Sequence, residues 1–190
     1  MQNYTFLKRI GYLILLVTLL GGCWRYVSRE AHQAFLARED PISVSVYPVR
    51  VVTGPDADYD VDLAEQLVEY FQMEGLAVAE LYPQPARIPV EWSHNQAKMA
   101  ENAAKEFAVY VASADLKTDY ALLVDLLCNP NETKVGGIQV YIADQSGRLA
   151  SGRLSNSHWD EWKEIQPHDR QGGLEVAKRL IQMSWAEGRE

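Results

Sequence analysis

The chain has 190 residues, of which 26 are acidic and 18 are basic, and its formal net charge is −8. A negative charge repels phosphate backbones on average, so the composition argues against nucleic acid as a partner. The length suits one domain with a substantial core and leaves too few residues for two full domains.

The first residues have the parts of a secretory signal. Lys8 and Arg9 precede an apolar run at residues 10–20, and the segment closes on the letters LGGC, which end at Cys23. Basic residues, a short apolar stretch and small residues before a cleavage point are typical of exported proteins. The LGGC segment resembles a bacterial lipobox. This resemblance implies removal of residues 1–22, diacylation of Cys23 and attachment of the mature chain to a membrane through lipid.

An uncleaved membrane helix is the alternative. The apolar run has 11 residues, whereas a spanning helix needs about 20, so the cleaved signal is favoured. Trp24, rather than Asp, follows the cysteine, and the sorting pattern of enteric bacteria then implies the outer membrane, facing the periplasm. An inner-membrane location stays open.

Cysteine usage fits an exported chain that is stabilised by burial rather than by a disulfide. The chain has two cysteines, and acylation of Cys23 leaves Cys128 without a partner for an internal disulfide. Cys128 ends an apolar run, so we expect it to be a small buried residue rather than a catalytic thiol.

Residues 23–40 are predicted to be the lipidated N-terminus and a spacer, followed by a single domain at residues 41–190. Val27, Ala31 and Phe35 recur near helical spacing. This pattern indicates a short helix near the bilayer or, equally, a partly ordered spacer.

The first half of the domain is predicted to form a strand, a helix and a second strand. Alternating apolar residues from Ile42 onward predict a strand that runs to Val52 and is broken at Gly54-Pro55. Asp62 and Glu65 stand at capping-box spacing, and the apolar stripe behind them predicts a helix that ends at Gly75. Residues 76–81 form the second strand candidate, and residues 88–92 form a loop or short edge strand.

The second half is predicted to form a helix, three strand segments and a terminal helix. Ser93 and Gln96 form an S-x-x-Q start signal for a helix that runs to about Ala114. Residues 120–128 are almost continuously apolar, which suits a strand covered on both faces. Residues 137–143 and 148–154 are predicted to form a hairpin, and residues 174–183 carry the stripe of a terminal helix.

The element order β-α-β-α-β-β-α predicts an α/β fold with one mixed sheet of about five strands, flanked by three helices. Three segments, V-x-V-x-P at residues 44–48, LAEQL at 63–67 and TDYALLVDL at 118–126, appear in the same order as in a known group of proteins. The pattern resembles periplasmic lipoproteins whose α/β domain is similar to the TolB N-terminal domain, CsgG and the LpoB-type activators of peptidoglycan synthesis. The resemblance covers roughly residues 42–186 and implies a fold more than a function.

The segment from Ser155 to Asp169 concentrates aromatic, histidine and acidic side chains in a long connection. As a partner-contact surface it would use His158, Trp159, Asp160 and Trp162, because tryptophans are enriched at the energetic centres of interfaces. Alternatively, one or both tryptophans fold back over the open end of the sheet.

A metal site built from His158 and His168 has acceptable ligand types but no recognised spacing, so we predict no metal and a hydrogen-bonding role for His158. Hydrolase motifs are absent from the sequence, and no catalytic residue or cofactor is predicted. The alternating aspartates at residues 56–62 lack the glycine and the distal glutamate of a calcium loop. Asp125 lies inside an apolar strand, so we expect it to pair with a Lys or Arg.

These observations predict a non-enzymatic, lipid-anchored protein of the cell envelope that binds another protein and does not bind nucleic acid. A small-ligand or metal-binding accessory lipoprotein of a transport system is the alternative. An enzyme comes third.

Overall fold

A computed structural model describes residues 26–39, 41–129 and 134–187, so the predicted signal and Cys23 lie outside the described residues. Seven strands and five helices lie within these ranges, more than the predicted five or so strands and three helices. In chain order they are α1 (Arg29–Leu36), β1 (Ser43–Val46), β2 (Val49–Thr53), β3 (Asp56–Asp60), α2 (Val61–Met73), β4 (Val78–Leu81), α3 (Gln96–Ser113), β5 (Tyr120–Cys128), β6 (Val135–Asp144), β7 (Leu149–Ser155), α4 (Asp160–Ile165) and α5 (Arg170–Ala186).

The strands form one mixed sheet, which confirms the predicted α/β class. β1 and β2 run parallel to β5 one after the other, with Val44 opposite Tyr120 and Arg50 opposite Asp125. Pro48 stands between them and has no N–H to give to a ladder, so one predicted strand becomes two. β4 and β3 continue the sheet beyond β1 and β2, while β6 and β7 complete its other side. The seven strands therefore occupy about five positions across the sheet.

Helices cover both faces of β5, and all nine residues of that strand are buried, as predicted. Leu122, Val124 and Leu126 belong to the core on the face covered by α1, α2 and α5. Ala121 and Leu123 belong to the core on the opposite face, under α3. Alternate side chains of a strand point to opposite faces, so this one strand contributes to two cores.

Two elements arise where breaks or loops were expected. The stretch after Gly54 turns back as β3, antiparallel to β2. The long connection after β7 holds α4, and α5 begins at Arg170, earlier than its apolar stripe indicates.

Both predicted capping boxes begin at the wrong residue. The carboxylate of Asp60 accepts the Leu63 N–H at 3.1 Å and caps α2, and the amide of Asn95 accepts the Lys98 N–H at 3.1 Å and caps α3. Both are good caps because their short side chains reach back to a free N–H of the first turn. The predicted caps, Asp62 and Ser93, therefore do not start these helices.

Residues 29–36 form the ordered helix α1, which packs on the domain rather than acting as a partly ordered spacer. Phe35 is fully buried, with its ring edge-on to Tyr120 and Trp185 at centroid distances of 5.2 and 5.1 Å. The Ser28 N–H donates to the Leu149 carbonyl at 2.9 Å. Across the described ranges, no helix has both the length and the apolar character needed to cross a membrane.

Candidate binding site at the carboxyl end of the central strands

The four residues predicted for partner contact separate into a surface group and a core residue. Trp159 is 45% exposed and His158 and Asp160 are exposed, whereas Trp162 is only 9% exposed and packs into the core under α4. The structure thus places one tryptophan of the pair at the surface and folds the other back. The His158 backbone N–H donates to the Asn156 side chain at 3.1 Å, which fixes the start of this connection.

Two hollows that share lining residues lie near the start of α3, and Trp159 borders the first of them. The first has a volume of about 670 Å³ and is bordered by residues of α3, β6 and the connection after β7. The second has a volume of about 450 Å³ and reaches Trp92, which is 41% exposed. His94, Gln96 and Gly136 line both hollows. We call the combined surface the two-tryptophan groove.

The groove lies where the central parallel strands end. β5 ends at Cys128, and Cys128 and Leu127 line the second hollow. Helix α3 starts at the same place, and its first residues line both hollows. Ligands of open α/β sheets bind outside the carboxyl ends of the strands, because loops and helix starts converge there.

Gln96, the first residue of α3, ties this helix to two other segments at the floor of the groove, β6 and the connection after β7. Its side-chain amide donates to the Gly136 carbonyl at 3.2 Å and accepts from the Asn156 side chain at 2.8 Å. Its backbone carbonyl accepts from Gln139 at 3.2 Å. A Cβ at Gly137 would lie 3.1 Å from the Gln96 amide, so glycine gives this side chain its room. The groove is therefore pre-organised by direct hydrogen bonds.

Two buried polar clusters lie beneath the groove, and the second of them bonds to the start of α3. The Arg50 guanidinium places Nη2 3.0 Å from Asp125 Oδ2 and Nε 3.0 Å from Oδ1, and Nη1 donates to the Ile88 carbonyl at 3.3 Å. The Tyr141 hydroxyl donates to Gln139, which in turn donates to α3. The expected basic partner of Asp125 is thus Arg50.

Burial raises the pKa of Asp125, and the adjacent Arg50 charge and hydrogen bond oppose that rise. Both side chains are 1% exposed, and the cavity beside them measures only about 10 Å³. The pair is therefore a structural support rather than a place for a ligand.

The exposed chemistry of the groove is suited to binding. It offers two tryptophan rings, two histidines at positions 94 and 158, and the amides of Asn95, Gln96 and Asn156. Cys128 is buried, and burial raises the pKa of its thiol, which keeps it protonated at neutral pH. In the part of the chain that the structure describes, no three His, Cys, Asp or Glu side chains are grouped so as to hold a metal ion. His168 is exposed just before the α5 N-cap, Asp169.

Half of this groove was missed from the sequence. Trp92, His94 and Gln96 lie more than 60 positions before Trp159. The sequence offered one signal for this half of the groove. A tryptophan and a histidine stand just before a helix start, at the end of a loop with little regular pattern.

No protein-family model matches this sequence, and no curated protein matches it either. The resemblance to envelope lipoproteins with TolB-, CsgG- or LpoB-like α/β domains therefore stays a prediction from the sequence pattern.

Proposed function

We propose that this chain is a lipid-anchored protein of the cell envelope that binds another protein through the two-tryptophan groove. The observation that carries the binding role is the pair of half-exposed tryptophans, Trp92 and Trp159, on the walls of one pre-organised groove. Large exposed rings at a concave surface are typical of interface hot spots, because a partner removes much apolar area from water when it covers them. The predicted signal supports the anchor and the outer-membrane location facing the periplasm.

The chemistry of the groove favours a partner segment with aliphatic and basic side chains. Two exposed acidic residues stand next in sequence to the tryptophans. They are Glu91, which accepts a hydrogen bond from Asn102, and Asp160, which pairs with Lys163 at 3.0 Å. Aromatic faces attract cations as well as apolar groups, and the chain as a whole is acidic. A partner segment with arginine or lysine side chains would be attracted both by the tryptophan rings and by the negative charge of the chain.

A photo-cross-linking amino acid at position 159 in cells tests the binding role. We expect covalent adducts to one reproducible envelope protein, and the same protein from position 92. Val109 is the matched control, because it is 67% exposed on α3 and does not line the groove. Adducts that are the same at 109 and at 159, or no adduct at 92 and 159, would contradict the proposal.

Substitution then measures the contribution of each tryptophan. Trp159→Ala and Trp92→Ala should each weaken binding of the cross-linked partner by about 30-fold, the effect of an interface hot spot. Val109→Ala should leave the affinity unchanged. Trp162→Ala should instead lower stability, because that ring is in the core.

The anchor has its own test. Intact mass measurement of the membrane-purified protein should show an acylated Cys23 as the first residue, and globomycin should make the precursor accumulate. Cys23→Ser should move the protein out of the membrane fraction. A precursor unaffected by globomycin would overturn the anchor without affecting the groove.

A small-ligand role is the second candidate, because both hollows have volumes in the range of small-molecule sites. Native mass spectrometry of protein purified from its own membranes would show a constant added mass that is lost in Trp159→Ala. If no added mass is found and a cross-linked partner is, the result favours protein binding over a small ligand.

A further inference from the structure

A third hollow, of about 390 Å³, lies between the start of the described chain and β7. Its polar lining consists of Arg29, His32, Ser151, Arg153 and Glu187, and Val27 and Gly152 complete it. Basic side chains are in the minority in this chain, which carries 18 of them against 26 acidic residues. Two arginines against one glutamate give the hollow an excess of one positive charge on an acidic protein. We call it the α1–β7 hollow.

Hydrogen bonds fix the chain to the domain at Ser28, and Tyr26 and Val27 just before it are partly buried against the core. The Ser28 N–H donates to the Leu149 carbonyl at 2.9 Å, and the His32 ring nitrogen Nδ1 lies 2.8 Å from the Ala150 carbonyl. Ala150 is the extra residue at a register shift between β6 and β7. Together with the buried Phe35 ring, these contacts hold α1 against the outer edge of β7. Ser28 is therefore a fixed point on the domain surface.

The chain between this fixed point and the predicted lipid is short. Four residues lie between Cys23 and Ser28, and the five steps from one Cα to the next cover at most about 3.6 Å each, or about 18 Å in total. Each head-group layer of a bilayer takes up about 5–8 Å of that reach. The remaining distance, about 10 Å, is close to the Debye length at physiological salt. Charges around Ser28 would thus interact with the lipid head groups.

We propose that the α1–β7 hollow faces the bilayer and binds the phosphate groups of its lipids through Arg29, the exposed arginine at its mouth. This rests on the lipid anchor of the proposed function. Removal of Lys8 and Arg9 with the signal leaves 16 basic against 26 acidic residues, so most faces of the domain are repelled by anionic lipid. The α1–β7 hollow, next to the tether, carries the positive charge that anionic lipid attracts.

Neighbouring charges define which arginine is available. Arg153 is 18% exposed and pairs with Glu187 at 2.5 Å, and Arg148 pairs with Asp144 at 2.8 Å and lies 3.7 Å from Glu30. Arg29 is exposed at the mouth of the hollow. Arg29 is therefore the residue to substitute, since its loss leaves the Arg153 pair intact.

The proposed orientation on the bilayer also sets the distance between the tether and the two-tryptophan groove. β7 runs from Leu149, beside the tethered point, to Ser155, next to the groove residue Asn156. At about 3.3 Å per residue, the two ends of β7 are roughly 20 Å apart. The two-tryptophan groove is thus held at a distance from the tether that is set by one rigid strand.

The test uses full-length acylated protein in phosphatidylcholine vesicles with or without phosphatidylglycerol, and a dye attached to an introduced cysteine. Gln33→Cys places the dye on the exposed side of α1, and Val78→Cys places it on β4, at the opposite edge of the sheet. Lipids with a quencher in the head group should quench the dye strongly at 33 and weakly at 78. Equal quenching at both positions, or stronger quenching at 78, would overturn the proposal.

Substitution of Arg29 tests the phosphate contact itself. Arg29→Gln should reduce quenching at 33 on phosphatidylglycerol vesicles, and high salt should have the same effect. Arg179→Gln, an exposed arginine of α5, is the control that should change nothing. If inorganic phosphate reduces quenching as the substitution does but vesicle composition does not, the site binds free anions and the membrane-facing role is refuted.

The two proposals fail in different ways. An unacylated Cys23 in the same sample removes the anchor and, with it, this orientation. An acylated protein that is quenched equally at 33 and 78 refutes the orientation alone and leaves the anchor in place.

Discussion

The buried pair of Arg50 and Asp125 should govern both the stability of the fold and its pH dependence. The two residues are neighbours across β2 and β5, each is 1% exposed, and two nitrogen–oxygen contacts of 3.0 Å join them. Removal of one partner from a buried pair leaves an uncompensated charge and costs about 3–5 kcal/mol. We therefore expect Arg50→Met to lower the free energy of unfolding at neutral pH by that amount.

Acid should reverse part of this loss. Burial raises the pKa of Asp125 while Arg50 opposes the rise, so Arg50→Met raises this pKa further. A carboxyl whose pKa is raised in the folded state destabilises the fold increasingly as pH increases above the unfolded value of about 4. The cost of Arg50→Met should thus be greatest at neutral pH and smaller near pH 4, where Asp125 is protonated.

Urea unfolding followed by tryptophan fluorescence measures this effect. With a urea dependence of about 2 kcal/mol per molar, Arg50→Met should lower the midpoint at pH 7 by about 2 M. Asp125→Asn is the control. It leaves the charge of Arg50 buried without a partner, and acid does not neutralise an arginine, so the cost of this change should not fall at low pH. The double change Arg50→Met with Asp125→Val should cost less than either single change, since it removes both charges. A cost for Arg50→Met below about 1 kcal/mol, or one independent of pH, would refute the reasoning.

Three further predictions concern the fold. Gly147→Ala should be strongly destabilising in urea, because φ is +76° and a Cβ would lie 2.3 Å from the Ala108 carbonyl; Gly75→Ala, with φ +61° and open space around it, should cost much less. Phe35→Ala should lower the free energy of unfolding by about 3–5 kcal/mol and speed hydrogen exchange in α1; unchanged exchange there would contradict the packing. Cys128 should react with a thiol reagent only after unfolding, since it is buried and its pKa is raised; rapid reaction in the native protein would contradict this.

Where one local pattern decides an element, the sequence predicts it. β5 has the predicted bounds, residues 120–128, because a strand buried on both faces must be apolar throughout. The hairpin of β6 and β7 follows from alternating apolar residues on either side of a turn with Gly147 at positive φ. Asp125 could be predicted to need a basic partner, because an unpaired charge is too costly in such a strand.

The rest depends on contacts between distant segments. Nothing local distinguishes Arg50 from other basic residues until β2 lies beside β5. The groove likewise needs Gly137 to leave room for Gln96, and Gln96 to hold Asn156, across 60 positions of sequence. The sequence pattern also placed residues 24–40 outside the core. Phe35 on a short polar helix fits a membrane surface as well as it fits the protein core, and only the structure shows which of the two buries it.

The packing of α1 changes what a lipid at Cys23 would do. A flexible spacer would let the domain sample many orientations and distances, so a partner could meet the two-tryptophan groove from any side. Helix α1 is instead fixed by the Phe35 ring and by hydrogen bonds to β7, which leaves only four residues between Cys23 and Ser28. It also covers the start of the outer edge of β7, where the carbonyls of Leu149 and Ala150 would otherwise be free to pair with another strand. The same contacts that protect the sheet edge would therefore hold the groove at a fixed place relative to the bilayer, within reach of partners that are themselves close to the membrane.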